Sequence, residues 1–244
     1  MINLLALGVA FLAIAYGHVM EGGSLDALVN LPAMLIVFGG TLAAALLQSD
    51  SKSVGRCMSL FPSVFINRKD PHQSSIEKIK QWSTLSRANG FLSLENDSNS
   101  EADKFLRRGL QMVVDGANAR TIRKNLEIEL YSYEEKGNAA AEVMESMGGY
   151  APTLGIVGAV LGLIQVMLNM ENSDLLGAGI ATAFVATIYG VASANLFFLP
   201  VSFRMKNLVR LRGRYMEMLI SGMEGLANGE NPSAIEQRLQ GYRV

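Results

Sequence analysis

Few side chains in this sequence are of the kinds that carry covalent chemistry. The histidines are His18 and His72, and the sole cysteine is Cys57. An internal disulfide and a CxxC-type metal site are therefore ruled out. No P-loop, nucleophile elbow or HExxH occurs, so we expect no enzyme and no cofactor. The residues with positional meaning are prolines and glycines. The stretch YAPTLGIVGAVLGLIQVM at 150–167 has no charge, Pro152 at its start, and Gly155, Gly158 and Gly162. Pro200 follows the FFL triplet, four residues before Arg204. Their chemistry is that of the backbone. Proline withholds an N–H and frees a carbonyl. Glycine weakens a water-exposed helix by about 1 kcal/mol relative to alanine, yet allows two backbones to approach.

The elements that position these residues are legible from the charges. The chain is 50% hydrophobic and 18% charged, with a net charge of −1, so no global field favours nucleic acid. Residues 1–20, 27–49, 146–170 and 175–203 lack Asp, Glu, Lys and Arg entirely. Each is long enough to cross a bilayer, which takes about 20 apolar residues. The first has no basic leader and no credible cleavage site, and reads as a retained helix. All 21 lysines and arginines fall within 52–136 or 204–243, whereas EGGSLD and ENSDLL carry only acids. The positive-inside rule puts both basic regions and both termini in the cytoplasm. The expectation is an all-α integral membrane protein of four transmembrane helices with a large helical cytoplasmic domain between spans two and three. The boundaries are 1–48 for the first hairpin, 49–147 for the cytoplasmic domain, 148–203 for the second hairpin and 204–244 for the tail.

Within 49–147, three helical patterns recur. One has Ile76, Ile79, Trp82 and Leu85 on one side and stops near Gly90. A second holds Phe105, Leu106, Met112 and Val113, and a third Ile122, Leu126, Leu130 and Tyr133. Only Gly148-Gly149 separates the third from span three. In the tail, NGENPSAIEQRL reads as a turn and a helix with Pro232 in its first turn.

Lipid tails compete with leucine, so spans associate through small residues. Span three offers Gly155, Gly158 and Gly162. Span four offers Ala178, Thr182, Ala186, Gly190 and Ala194, with a second row at Gly179, Ala183 and Thr187. These rows serve either hairpin packing or contact with neighbouring copies or a central partner. Spans one and two, rich in Leu and Val, suit the lipid-facing side, although Gly39-Gly40 marks a close contact. No acid or base sits mid-membrane, where ion pathways commonly use one. His18 lies near an outer boundary and reads as interfacial. The chain is either no ion carrier, or half of one whose carboxylate comes from a partner. Pro152 reads as a first-turn proline, harmless there. Pro200 either ends or kinks its span, or hinges the membrane part to the cytoplasmic part.

The segments APTLGIVGAVLGLIQVM, ATAFVATIYGVASANLFFLP and NGENPSAIEQRL, with SRANGFLSLE at 86–95 and VMEGGS at 19–24, resemble the MotA/PomA family of flagellar stator proteins. The likeness runs in order along nearly the whole chain. ExbB/TolQ relatives share the third-span motif more loosely but have three spans; an ExbB/TolQ-like proton-channel subunit energising an outer-membrane process is the alternative. The resemblance implies a homopentamer in the bacterial inner membrane around a dimer of a single-span MotB/PomB-like partner bearing a transmembrane Asp. Ion flux would then turn into torque on a FliG-like rotor switch protein. It implies that spans three and four form the inner ring, packed through Gly155, Gly158, Gly162 and Gly190. It makes Pro152 and Pro200 the functional prolines, and Arg87 and Glu95 the rotor-contacting charges, with Arg107 and Arg108 as further candidates against a plain solvated face. Sodium-driven members tend to have Thr at the positions of Ala159 and Ala186. Here only Thr187 keeps a hydroxyl, which either ligates an ion or bonds back to its own helix, so protons are favoured over sodium. Asn30 stands where some members carry Asp, and Asn96 and Ser98 replace loop acids.

Overall fold

A computed structural model of the chain describes residues 2–66, 71–170 and 173–242. The described residues are helical throughout, with turns and no strand. In chain order the helices are α1 (Ile2–Met20), α2 (Leu31–Met34), α3 (Gly40–Gln48), α4 (Ser51–Phe65), α5 (His72–Asn89), α6 (Glu95–Ser100), α7 (Lys104–Val114), α8 (Ala119–Leu168), α9 (Ser173–Ser193), α10 (Leu199–Ala227) and α11 (Pro232–Gln240). Two wide π-turns, Leu35–Gly39 and Ala194–Phe198, join α2 to α3 and α9 to α10. Among the described residues, Leu25–Gln48, Ala119–Leu168 and Leu176–Ala227 are long and apolar enough to cross a membrane, and Gly8–Met20 is a shorter apolar stretch. The ENSDLL connection is described only from Ser173 onward; Glu171 and Asn172 lie outside the described residues.

The chain divides into two compact units. Met1–Asn67 with Lys136–Asn207 form the first, and Arg68–Glu135 with Leu208–Val244 the second. Helices α8 and α10 each contribute residues to both. Helix α4 belongs to the first unit. Its start is fixed by Asp50, whose carboxylate accepts from the N–H groups of Lys52 (3.1 Å) and Ser53 (3.2 Å), the usual N-cap geometry.

In the first unit, α2, the π-turn after it and α3 present Ala33, Val37, Thr41 and Ala45, all buried at four-residue spacing. Ala33 and Val37 pack on Val185 and Ala186 of α9. Helices α8 and α10 are tied by Ser202 Oγ donating to the Ala141 carbonyl at 2.9 Å and by Lys206 Nζ on Glu145 at 2.6 Å. Most large apolar side chains of α1 and of residues 156–168 are exposed on the single chain.

The second unit is built like a water-soluble domain. Ile76, Ile79 and Trp82 of α5, Phe105, Leu106, Leu110 and Val113 of α7, Ile122, Leu126 and Leu130 of α8 and Leu219, Ile220 and Met223 of α10 form one core, closed by Ile235 and Leu239 of α11. The three apolar patterns read from the sequence are this core, with Leu85, Met112 and Tyr133 packed at its edge. Helix α5 begins at His72, ahead of Ser75, and stops at Gly90, whose φ of 80° favours glycine. Asn231 caps α11, with Pro232 in the first turn.

Candidate functional site

Two groups of candidate residues lie in different units. In the first unit the glycines work inside the chain's own hairpin. A Cβ on Gly155 would lie 3.0 Å from the Ala186 carbonyl oxygen and 3.3 Å from Gly190 Cα. One on Gly162 would lie 2.8 Å from both Ala183 N and Gly179 O, and one on Gly190 2.5 Å from Ala151 O. One on Gly158 would meet Ala186 Cβ at 2.7 Å. Of the two uses considered for these rows, the single chain displays hairpin packing of α8 on α9.

Pro152 departs from the first-turn reading. It lies deep within the 50-residue helix α8, because the helix runs through Gly148-Gly149 without a break. Its missing N–H therefore deprives the Gly148 carbonyl of its usual helical donor. Gly148 faces Leu199 of α10. Pro200 is the second residue of α10 and is exposed. The π-turn just ahead of it, in which the Leu199 N–H reaches back to the Ala194 carbonyl, widens the helix where the proline ring would otherwise crowd a carbonyl. Both prolines sit inside the first unit, away from the division at 135/136 and 207/208.

Ala186 is fully buried and Ala159 half-buried. Thr187 Oγ1 donates to the Ala183 carbonyl at 3.2 Å, back-bonding within its own helix. It borders a shallow apolar hollow with Ile14, Ile188, Val191, Asn195 and Leu196.

A polar tie in this unit was not expected as such. Asn30 Oδ1 caps α2 by accepting from the Ala33 N–H at 3.0 Å. Its Nδ2 donates to Thr182 Oγ1 at 2.9 Å, and its backbone N–H to the Tyr189 hydroxyl at 3.2 Å. That hydroxyl in turn donates to the Leu28 carbonyl. Asn30 thus spends its polar groups on a cap and on α9. The available signal was Tyr189 itself, since a tyrosine in an uncharged helix needs a partner for its hydroxyl. Thr41 Oγ1, fully buried, finds none among the described residues. His18 Nε2 lies 3.2 Å from the Ser24 carbonyl.

In the second unit, Arg87 closes the last turn of α5 and Glu95 opens α6; both are exposed. The 3₁₀ turn Phe91–Leu94 lies between them. Arg87 Nη1 is 3.4 Å from the Gly229 carbonyl, a long bond. Arg107 and Arg108 differ from these two. Arg107 Nε donates to the Glu101 carbonyl at 2.7 Å, and Arg108 pairs with Glu129 at 3.2 Å. The same unit holds a polar cluster in which Glu101, Ser75 and Tyr215 are buried. Glu101 accepts from Lys78 Nζ at 2.8 Å and from the Asp103 N–H at 3.0 Å. Asp103 caps α7 and binds Arg212 at 2.8 Å, and the Arg212 guanidinium lies 4.7 Å from the Tyr215 ring centre. The Tyr215 hydroxyl meets Ser75 Oγ at 2.7 Å. Burial raises the Tyr215 pKa above its ordinary value, against the Ser75 bond. For Glu101, burial pushes upward, but Lys78 and the backbone N–H groups outweigh it and hold the carboxyl low. Among the described residues, no three His, Cys, Asp or Glu side chains gather as a metal would need.

This long-helix architecture recurs in known proteins. Residues 97–218 match the model of the MotA/TolQ/ExbB proton channel family, and residues 4–89 that of the motility protein A N-terminal region. Motility protein A of Bacillus subtilis is 35% identical over 98% of this chain and 89% of its own length. The solved structure of C. jejuni MotAB superposes with a TM-score of 0.93 at 28% identity, over 99% of this chain and 95% of that one. That of the flagellar MotAB stator complex from Bacillus subtilis gives 0.90 at 34%, over 100% and 96%. Matched from end to end by sequence and by fold, the chain belongs to the motility protein A branch of the MotA/TolQ/ExbB proton channel family.

Proposed function

We propose that this chain is the multi-pass membrane subunit of a flagellar stator, which with a MotB-type partner couples ion flux to torque. The observation that carries this reading is the likeness to MotAB stator structures over essentially the whole chain. Four charge-free segments support four spans in the inner membrane, with both termini cytoplasmic. In this reading 1–48 and 148–203 are the two transmembrane hairpins, 49–147 is the rotor-facing cytoplasmic domain and 204–244 the tail. Five copies surround a dimer of the partner, and Arg87 and Glu95 meet a FliG-like rotor protein. No covalent chemistry is involved. The motility protein A match at 4–89 favours the motor over the ExbB/TolQ-like alternative.

The chain has no mid-membrane acid, so the carboxylate that carries the ion comes from the partner's single helix. Pro152 and Pro200 leave carbonyls without helical donors on the cytoplasmic side of the path. Protons are the favoured ion, because Ala159 and Ala186 offer no oxygen and the Thr187 hydroxyl is engaged by its own helix. In cells without a second stator set, loss of this gene abolishes spreading on soft agar, and Pro200→Ala strongly impairs it. Normal spreading in both would refute the stator reading. Swimming speed measured against sodium at constant proton-motive force stays flat if protons drive the motor.

A further inference from the structure

We propose that Tyr189 is a positioning residue: its hydroxyl sets the rotation of α9, turning Thr187 away from span two and into the apolar hollow shared with Ile14. The consequence for ion flux rests on the stator reading, which makes Thr187 an ion-path candidate. Helix α9 needs such a lock. Its seam with α8 is made of Gly155, Gly162, Gly179, Ala183 and Gly190, which let backbones touch but offer little side chain to interlock. Its polar groups are mostly spent locally. Thr187 Oγ1 donates to the Ala183 carbonyl, Ser193 Oγ to that of Gly190 at 3.2 Å, and Asn195 Nδ2 to that of Val191 at 2.9 Å. Of the polar side chains at 182–195, only Thr182 and Tyr189 bond to another element among the described residues.

Tyr189 does so twice. Its hydroxyl donates to the Leu28 carbonyl and accepts the Asn30 N–H at 3.2 Å. Val29 and Asn30 are extended, with φ −98°, ψ 103° and φ −131°, ψ 105°. The phenol therefore stands in for the neighbour that a helix or sheet would give these backbone groups. Phe38, in the π-turn Leu35–Gly39, packs against its ring with 5.8 Å between centres. Two turns earlier on α9, Thr182 Oγ1 accepts Asn30 Nδ2 at 2.9 Å. One such tie would let the helix roll. Two on one face set its angle, with Val185 and Ala186 between them packed on Ala33 and Val37. At about 100° per residue, Thr187 stands about 140° round the helix from Thr182 and about 160° from Tyr189. It borders the hollow with Ile14, Ile188 and Val191 instead.

The test uses the chain with its partner, purified from cells lacking their own copy of this gene, native or carrying Tyr189→Phe. Rotation is read by oxidative cross-linking within the chain. One cysteine pair (Val37→Cys with Val185→Cys) spans the packed face, and the other (Val37→Cys with Thr187→Cys) joins span two to the far face. Buried Cys57 is common to both. Ion flux into vesicles, membrane abundance and partner co-purification are read without the added cysteines. With Tyr189 in place, the first pair is expected to link and the second not. In Tyr189→Phe that preference is expected to fade. Flux is expected to drop about tenfold, as small misplacements near a reacting path do, at native abundance and co-purification. Thr182→Val, which removes the other tie, should loosen the preference in the same direction. An unchanged preference in Tyr189→Phe would overturn the lock, as would native flux, or a flux loss matched by lost abundance or lost partner. If the native complex passes no ions, the stator reading falls, and cross-linking alone still decides the lock.

Discussion

The two units use the same element, a long helix, with opposite adhesives. In the first, α8 and α9 meet backbone to backbone, at Gly155 on Ala186 and Gly190 and at Gly162 on Gly179 and Ala183. Their leucines and isoleucines face outward. In the second, leucine, isoleucine and methionine fill the interior and the surface carries paired charges. The difference teaches where the driving force comes from. Lipid solvates leucine as well as a protein does, so membrane helices gain by close approach. Water does not, so the second unit gains by burial.

Substitutions break this comparison most sharply when the same change is made in both places. Leu219→Ala empties a fully buried site in the second unit and is expected to cost about 2–5 kcal/mol. Leu161→Ala on the outward face of α8, 48% exposed, should leave stability nearly unchanged. Thermal unfolding of the purified complex checks both. Glycines should reverse the order. Gly190→Ala drives a methyl against the Ala151 backbone and should cost roughly 1–3 kcal/mol. Gly109→Ala meets side-chain atoms only, Met223 at 2.8 Å and Leu126 at 3.2 Å, and should cost less than about 1 kcal/mol, because methionine adapts.

Smaller effects sharpen the picture. Tyr189→Phe removes the tie from α9 to Leu28 and Asn30 and should cost about 0.6 kcal/mol, the mean for membrane hydrogen bonds. The smallest effect is pH-dependent. The Glu101 carboxyl titrates below its ordinary 4.5 in the folded chain. Its contribution is therefore complete above pH 4.5 and fades as pH falls through the lower folded value. Unfolding measured between neutral and acid pH should show a shallower acid limb in Glu101→Gln.

The apolar helices were legible because charges cannot be hidden in lipid, and Ile76, Leu106 and Leu126 because helical spacing marks a buried face. The family could be read from SRANGFLSLE and APTLGIVGAVLGLIQVM standing in order. What the sequence concealed depends on distant neighbours. Pro152 looked like a helix start because proline is at home there; the helix instead persists through it, held by contacts with α9 and α10. The π-turns at Leu35–Gly39 and Ala194–Phe198 have no local signature beyond nearby Gly39 and Pro200. Asn30 stood out only as an Asn where some members carry Asp, yet its partners Thr182 and Tyr189 lie on another helix.

The central claim is that the ion rides on an acid this chain does not possess. Conductance of vesicles holding the chain with its partner measures it directly. The account predicts ion flux in the complex, none with the chain alone, and none when the partner's membrane Asp becomes Asn. Flux through the chain alone, or undiminished flux with the Asn partner, would contradict it.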